Sequence, residues 1–358
     1  MPTRSHRRFS ARYGKLDRRT MEEVVYRNLG APDGSVLVGP KAGFDNAFVS
    51  INGKRVMVVT TDPVSVIPRI GVRKSAWLSV HLIASDLATS GVAPEFASFS
   101  LNFPSEMSSA EKREYLRSLG KACKEIGVAI VAGHTGAYPG AAFTVVGGGT
   151  MIGFANEGGY VDPSMARVGD SILMTKGAAI ETTASLAASF PRSTEQRIGK
   201  RLAKAAREML DDCSTVKEAL LASSVGMGES GITSMHDATE GGVLGGLHEM
   251  ARASNRAFFV DQDSIFVSKQ ARAVCAAFAI DPLTSLSEGT LLMTCVPSRV
   301  GEIRRRIRRA GIAVYKIGSV REGSGLWVSK AHGRPRKVRP AADGYWTTYD
   351  RSVAVGLR

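Results

Sequence analysis

The chain has 358 residues, of which 44% are hydrophobic, and a formal net charge of +14 at pH 7. This length is more than one average domain and less than three, so two domains with sizeable cores are expected. No apolar run approaches the roughly 18 residues that a spanning helix requires, and the basic N-terminus lacks the apolar segment of a secretory signal, which disfavours membrane and secreted proteins and predicts a cytoplasmic one.

The N-terminal half begins with a basic segment and continues as alternating strands and helices. Residues 1–20 carry seven basic side chains and one acidic one, which predicts a flexible basic arm. Ser108 and Glu111 have capping-box spacing at the start of one predicted helix. The elements predicted here are helices near 21–30, 74–91 and 108–127, and strands near 35–39, 46–51, 55–61, 96–103, 128–133 and 141–154.

A stretch rich in turn-forming residues, 155–170, separates this half from a second series of elements. The arginine-rich segment 299–311 places Ile303 and Ile307 on one helical face, which predicts a solvated surface helix; a nucleic-acid or acidic-partner patch stays open as the alternative. The elements predicted in this half are strands near 171–177, 257–260, 290–296 and 313–320, and helices near 180–190, 196–210, 214–224, 243–253 and 299–311.

The cysteines are four, widely separated, and form no CxxC pair. Without nearby histidines at metal-ligand spacing, they are interpreted as buried thiols of a reducing compartment rather than disulfide or zinc partners. These are Cys123, Cys213, Cys275 and Cys295.

Three carboxylates lie at predicted strand or helix ends of the first half. Asp45 precedes a strand, Asp62 ends one, and Asp86 lies near the end of a helix. Taken singly, each is typical of a cap or turn, but together they suit hard, oxygen-preferring ions such as Mg²⁺.

Two glycine-rich segments, VAGHTGAYPG and VVGGGTMIG, each follow an apolar run. As loops at strand ends they would offer free backbone N–H groups to a phosphate. Neither matches the Walker motif or the dinucleotide-binding fingerprint, which disfavours a P-loop kinase and a nicotinamide enzyme. His134 in the first segment is either a structural histidine or a catalytic candidate.

The stretch MHDATEGGVLGGLHEM allows two interpretations. Asp237 and Glu240 have capping-box spacing before a helix over 243–253, and the same carboxylates could form one wall of a nucleotide cleft.

Taken together, these motifs resemble those of a known protein superfamily. The ordered series GFDNAFV, TTDP, SDLATSGVAP, GHTGAYPG, GD followed by TKG, DATEGGVLGGLHE and LSEGTLL resembles the superfamily of aminoimidazole ribonucleotide (AIR) synthetase, selenophosphate synthetase, thiamine monophosphate kinase and HypE, over about residues 14–320. The HypE-like members are the most similar. The resemblance implies an α/β N-terminal domain and an α+β C-terminal domain, N-terminal sheets that close into a barrel across a homodimer, and ATP with Mg²⁺ bound between the domains.

Carried over by residue, the resemblance predicts a metal site and a nucleotide site. Asp237 and His134 are the catalytic candidates. The metal ligands expected are Asp45, Asp62, Asp86 and Asp237. The expected ATP contacts are Thr61, Gly133, His134, Thr135, Gly147, Gly148, Gly149, Thr239, Glu240, Gly241 and Gly242. Lys15, which lies on the basic arm in YGKLD, is either a further ATP contact that caps the phosphates or an exposed lysine of the tail.

The sequence also departs from the family pattern. Phe44, Asn46, Ile83 and Gly136 stand where the family usually has Asp, Ala, Asn and a charged residue. HypE ends in a cysteine that carries the carbamoyl group, whereas this chain ends YDRSVAVGLR and has no cysteine in its last 60 residues. A reactive cysteine near the N-terminus, typical of selenophosphate synthetase, is also absent from the sequence.

The sequence therefore predicts an ATP- and Mg²⁺-dependent, HypE-like enzyme that activates or phosphorylates a small or protein-borne substrate. The alternatives are a kinase resembling thiamine monophosphate kinase and a non-catalytic nucleotide- or RNA-binding scaffold; a nucleic-acid partner is disfavoured but left open, and no membrane partner is expected. The predicted boundaries are an arm (1–20), an N-terminal domain (21–156), a C-terminal domain (157–330) and an extension (331–358).

Overall fold

The computed structural model describes residues 14, 16, 18–331 and 333–358. Lys15 and almost all of the predicted basic arm therefore lie outside the described residues. None of the helices in the described part of the chain is both long enough and apolar enough to cross a membrane.

The N-terminal half is built on a six-stranded mixed sheet in the order β1-β2-β3-β6-β4-β5. Only β4 and β5 run parallel, and β6 lies between β3 and β4. The capping box predicted at Ser108 and Glu111 is present at the start of α3. The elements are β1 (Val36–Val38), β2 (Ala47–Ile51), β3 (Arg55–Ser65), β4 (Phe96–Phe103), β5 (Ala129–Ala137), β6 (Val145–Asn156), α1 (Arg18–Glu23), α2 (Val72–Ala88) and α3 (Ser109–Glu125).

The two glycine-rich segments are strands, which corrects their prediction as phosphate-binding loops. Gly133 lies inside the edge strand β5, which pairs with β4, and Gly147–Gly149 lie inside β6, which has neighbouring strands on both sides. A Cβ on Gly133 would lie 2.6 Å from the carbonyl oxygen of Phe99, and one on Gly149 would lie 2.6 Å from Cδ1 of Ile83. These glycines therefore serve close packing of strands and helix.

The C-terminal half is built on a seven-stranded sheet in the order β13-β12-β9-β11-β7-β10-β8. Its strands are antiparallel except for the pair β9 and β12. The elements are β7 (Ser171–Thr175), β8 (Ile232–Asp237), β9 (Ala257–Asp261), β10 (Leu291–Cys295), β11 (Val314–Arg321), β12 (Gly325–Ser329), β13 (Arg336–Val338), α4 (Ile180–Ser189), α5 (Pro191–Ile198), α6 (Lys200–Glu208), α7 (Val216–Ser223), α8 (Gly242–Ala253), α9 (Lys269–Phe278), α10 (Val300–Arg309) and α11 (Tyr345–Ala354).

The capping box predicted at Asp237 and Glu240 is wrong. Asp237 ends the buried strand β8, and α8 begins after Gly241, which has φ 82° and gives no side-chain cap. Carbonyl oxygens replace a capping side chain there, because the backbone N–H groups of Gly242 and Leu244 donate to Thr239 and Leu283.

One apolar core joins the two halves. Ile83 and Leu87 of α2 belong to the same buried cluster as Met235 of β8 and Met293 of β10. The arginine-rich helix α10 adds Ile303 to this core, and all four cysteines are free and buried, as predicted. The C-terminal end of α2 is thereby held against the end of β8.

Candidate functional site

The four predicted metal ligands converge where the two halves meet. Asp45 lies in the loop before β2, Asp62 in β3, Asp86 in the last turn of α2 and Asp237 at the end of β8. Burial raises the pKa of Asp86 well above its usual range, and the negative charges of Asp237, Asp45, Asp62 and Glu288 raise it further. Glu288, which sequence reasoning missed, belongs to the same group of carboxylates.

Hydrogen bonds fix the Asp45 loop to the end of α2. The side-chain amide of Asn46 donates to the carbonyl oxygen of Asp86 at 2.7 Å, and the hydroxyl of Thr60 donates to the carbonyl oxygen of Asp45 at 2.7 Å. Asn46 stands where the family usually has alanine, so this departure supplies a buried contact that alanine cannot make.

His236 is a site residue that the sequence analysis did not assign. Its Nδ1 lies 2.8 Å from Oδ2 of Asp45 and 3.8 Å from Oδ1 of Asp237, and its Nε2 lies 2.9 Å from Oε2 of Glu249. Burial alone would lower the pKa of His236, but Asp45 and Glu249 raise it well above its usual value. The protonated His236 therefore neutralises part of the carboxylate charge. The only sequence feature that could have pointed to His236 is its position next to Asp237.

The donor atoms of Asp45, His236 and Asp237 lie within 4.8 Å of one another. Carboxylate oxygens suit Mg²⁺, whereas a histidine can ligate a metal only after it loses its proton. Because the carboxylates surround a proton-bound imidazole, the oxygen donors fit a divalent cation better than the histidine does.

A second group of carboxylates adjoins the first. Burial raises the pKa of Glu181 to about 8, with further increases from the charges of Asp343, Asp62 and Glu240. Glu181 is only 8% exposed. Sequence reasoning missed both Glu181 and Asp343, because neither stands in a motif.

The glycine turn after β8 is fixed by the C-terminal segment. Asp343 accepts a hydrogen bond from the backbone N–H of Gly241 at 2.9 Å, and the indole N–H of Trp346 donates to Glu240 at 3.1 Å. Gly14 lies against the carboxylate of Glu240 from the other end of the chain. Residues from both ends of the described chain thus lie next to the turn at 239–242, which the sequence analysis predicted to contact ATP.

Other predicted contacts lie elsewhere on the N-terminal sheet. His134 is exposed on the outer strand β5, where its Nε2 contacts the hydroxyl of Tyr138 at 2.5 Å. Thr61 hydrogen-bonds Thr150 and points to the opposite side of β3 from Asp62, because neighbouring strand residues face opposite sides. The described side-chain contacts of His134 and Thr61 are therefore with Tyr138 and Thr150, and Thr135 follows His134 in β5.

Comparison with known proteins gives matches along most of the chain. The N-terminal domain family of AIR synthase related protein matches residues 43–155, and the corresponding C-terminal domain family matches residues 167–329. Carbamoyl dehydratase HypE of Rhizobium leguminosarum bv. viciae is 28% identical over 72% of this chain and 70% of its own length. A putative hydrogenase expression/formation protein of Methanocaldococcus jannaschii is 25% identical over 78% of this chain and 79% of its own length.

Solved structures share the fold at low sequence identity. HypE from a HypE–HypF complex has a TM-score of 0.71 and 20% identity, covering 90% of this chain and 99% of its own. HypE in complex with ATP has a TM-score of 0.65 and 22% identity, with coverages of 92% and 96%. ThiL complexed with AMPPCP and TMP has a TM-score of 0.68 and 17% identity, with coverages of 92% and 100%. From the two domain matches and this shared fold, the chain belongs to the AIR synthase-related family.

Proposed function

We propose that this protein is an ATP- and Mg²⁺-dependent enzyme, HypE-like in sequence, that activates or phosphorylates an acceptor between its two halves. The observation that carries the proposal is the convergence of Asp45, Asp62, Asp86 and Asp237; burial and the charges of the other three carboxylates raise the pKa of Asp86. A relative that is a carbamoyl dehydratase and a structural neighbour in complex with ATP support it.

The same four aspartates would hold the magnesium ions. Crowded carboxylates repel one another, so a divalent cation would lower the free energy of the ionised cluster. A bound Mg²⁺ would supply positive charge against the negative charge that develops during phosphoryl transfer. His236 holds Asp45 in place through its ion pair, and Asn46 fixes the loop that carries it.

The acceptor comes from outside the chain in this proposal. The last cysteine in the sequence, Cys295, is buried in β10, and burial raises the pKa of its thiol to about 12. The C-terminal residues form α11, whose Tyr345 packs in a buried apolar cluster. All four cysteines are buried and none is an exposed thiol, and the proposed acceptor is a separate small molecule or a partner protein.

A small-molecule kinase is the second candidate. ThiL shares the fold, and a thiamine-monophosphate kinase of Nitrosopumilus maritimus is 37% identical over 20% of this chain. This chemistry needs the carboxylate cluster and no cysteine, which agrees with the buried thiols. Mass spectrometry of products separates the two: a phosphorylated acceptor favours the kinase, and a dehydrated acceptor favours the HypE-like reaction.

Further parts of the proposal are the oligomeric state, the location and the domain boundaries. The outer strand β5 carries exposed apolar side chains, including Ile130 and Val131, which support a homodimer through the N-terminal sheets. We also propose a cytoplasmic location, a domain division at 156/157 and an extension from residue 331.

The test is ATP binding by titration calorimetry with and without Mg²⁺. Wild-type protein should bind ATP tightly only with Mg²⁺, and Asp62→Asn should weaken binding at least tenfold because it removes one charged oxygen donor. Asp350→Asn, on the exposed side of α11, makes the same chemical change away from the cluster and should bind as wild type. Equal binding by Asp62→Asn and wild type would contradict the proposed metal site.

A further inference from the structure

Helix α10 presents a row of arginines that the proposed reaction does not use. Its inner residues Ile303 and Ile307 are completely buried, and its outer side carries five arginines in ten residues. The single acid of the helix, Glu302, is paired with Arg299 at 2.8 Å. Among the described residues, no ion pair involves the five arginines, which are Arg304, Arg305, Arg306, Arg308 and Arg309.

The arginines form two neighbouring lines along the helix, and the two residues of each line are one helical turn apart. Arg304 and Arg308 form one line and Arg305 and Arg309 the other, and together with Gly301 they surround a depression of about 460 Å³. Residues four apart on a helix lie side by side, so their like charges repel one another and favour a bound polyanion.

Arg304 also borders a neighbouring groove that contains aromatic rings. This groove, of about 450 Å³, is lined by Arg272 and Lys316 and by the rings of Phe266 and Tyr315. The two rings stack with centroids 4.9 Å apart and planes 9° apart, and Phe266 remains 41% exposed. The groove therefore joins an exposed π surface to three cationic side chains.

Two features of the groove favour a ligand that has hydrogen-bond acceptor atoms. The Nε of Arg304 is buried and has no hydrogen-bond partner within the described chain, although buried donors are normally satisfied. The one acid lining the groove, Asp263, already accepts a hydrogen bond from the backbone N–H of Ala331 at 2.6 Å. Within the described chain the Nε of Arg304 thus has no acceptor, and the groove offers cations that a phosphate could pair with.

We propose that α10 and the adjacent Phe266 groove bind single-stranded nucleic acid. Bases would stack on the Phe266–Tyr315 pair, and phosphates would lie along the two arginine lines; aromatic platforms beside cationic tracks are how proteins bind single strands without sequence preference. An acidic peptide would pair with the arginines but would gain little from the aromatic rings. A duplex keeps its bases stacked internally and cannot place them in the groove.

The test is fluorescence anisotropy with a labelled 12-nucleotide oligouridine and the full-length protein at 150 mM salt. Binding should weaken at least tenfold in Arg305→Glu/Arg309→Glu. It should weaken roughly tenfold in Phe266→Leu, which keeps an apolar side chain and removes the π surface. If the four arginines of the depression contact phosphates, a plot of the logarithm of the association constant against the logarithm of the salt concentration should have a slope of roughly −3.

The matched control is Arg113→Glu/Arg117→Glu, which reverses the same two charges on the exposed side of α3. It should bind oligouridine as wild type does, and a saturating ATP analogue should not displace the oligonucleotide. Circular dichroism confirms that each variant is folded. Any one of four results would overturn the proposal: no wild-type binding, unchanged binding by Phe266→Leu, equal affinity for a duplex, or displacement by polyglutamate at equal charge concentration.

Discussion

Gly149 lies in β6, between β3 and β4, next to Ile83 of the helix α2. A Cβ at this position would lie 2.6 Å from Cδ1 of Ile83 and 2.8 Å from Cδ1 of Phe99. Both neighbours are buried, so they have little room to move. The adjacent Gly148 has open space, since the nearest atom to a Cβ there would be the carbonyl oxygen of Asp62 at 3.8 Å.

Gly149→Ala is expected to reduce the free energy of unfolding by roughly 1–3 kcal/mol, because it overpacks the core. Gly148→Ala should change it by less than about 1 kcal/mol, since it meets no such contact. Urea unfolding of both variants measures the difference. Equal stabilities would show that β6 can shift away from α2.

Glu181 predicts a pH dependence of stability. Its pKa is raised from 4.5 to about 8, first by burial and then by the charges of Asp343, Asp62 and Glu240. The folded state therefore holds this proton more tightly than the unfolded chain does. The resulting stability is fully present below about pH 4.5 and is lost as the pH rises through about 8.

Between about pH 5 and pH 8, the free energy of unfolding of wild type should fall more steeply than that of Glu181→Gln. The difference is on the order of a few kcal/mol, because glutamine cannot ionise. Denaturant titrations across this range provide the measurement. Parallel pH profiles for the two proteins would argue that Glu181 titrates normally.

Among the elements, those with strong local patterns were predictable from the sequence. The helix α3 has a capping box, and α10 alternates buried isoleucines with exposed arginines, so both follow from spacing. Strand β8 was missed because four of its six residues, ITSMHD, are polar, so no apolar run marks it although all six are buried. Helix α11 was missed because its position depends on contacts with the distant turn after β8.

Those distant contacts can be tested at Asp343. Its carboxylate accepts hydrogen bonds from the backbone N–H groups of Gly241 at 2.9 Å and Tyr345 at 2.8 Å. Asp343→Ala leaves both donors without this acceptor and should lower the free energy of unfolding by roughly 1–3 kcal/mol. Asp343→Asn retains one acceptor oxygen, so its free energy of unfolding should fall by less than that of Asp343→Ala. Urea unfolding of the two variants measures this difference. Asp350→Ala serves as the control. If it lowered the free energy of unfolding as much as Asp343→Ala does, Asp343 would have no specific role.

At the scale of the whole molecule, the sequence allowed prediction of two α/β-type halves and the family, because several motifs occur in order along the chain. The convergence of the four aspartates was expected through that resemblance. The pairing of His236 with Asp45 could not be predicted, since it joins residues of the two halves that are 191 positions apart. The glycine segments were misassigned because their packing partners belong to other strands.

The proposed homodimer gives a prediction at the same scale. Val131 is 60% exposed on the outer strand β5, where unpaired backbone groups and apolar side chains favour pairing with another chain. Val131→Lys should shift the protein from dimer to monomer in light scattering after size-exclusion chromatography. Val355→Lys, at a residue 68% exposed beyond α11, should leave the mass unchanged. A dimeric Val131→Lys protein would exclude this edge as the interface.

The core shared by α2, β8 and β10 has a kinetic consequence. Swinging the two halves apart would bring Leu87 and Met293, both fully buried, into contact with water. In the proposed reaction, nucleotide exchange should therefore proceed through small displacements of the segments around the carboxylates. The temperature dependence of ADP release should accordingly be shallow, as for a moving loop, and the heat-capacity change of binding should be small.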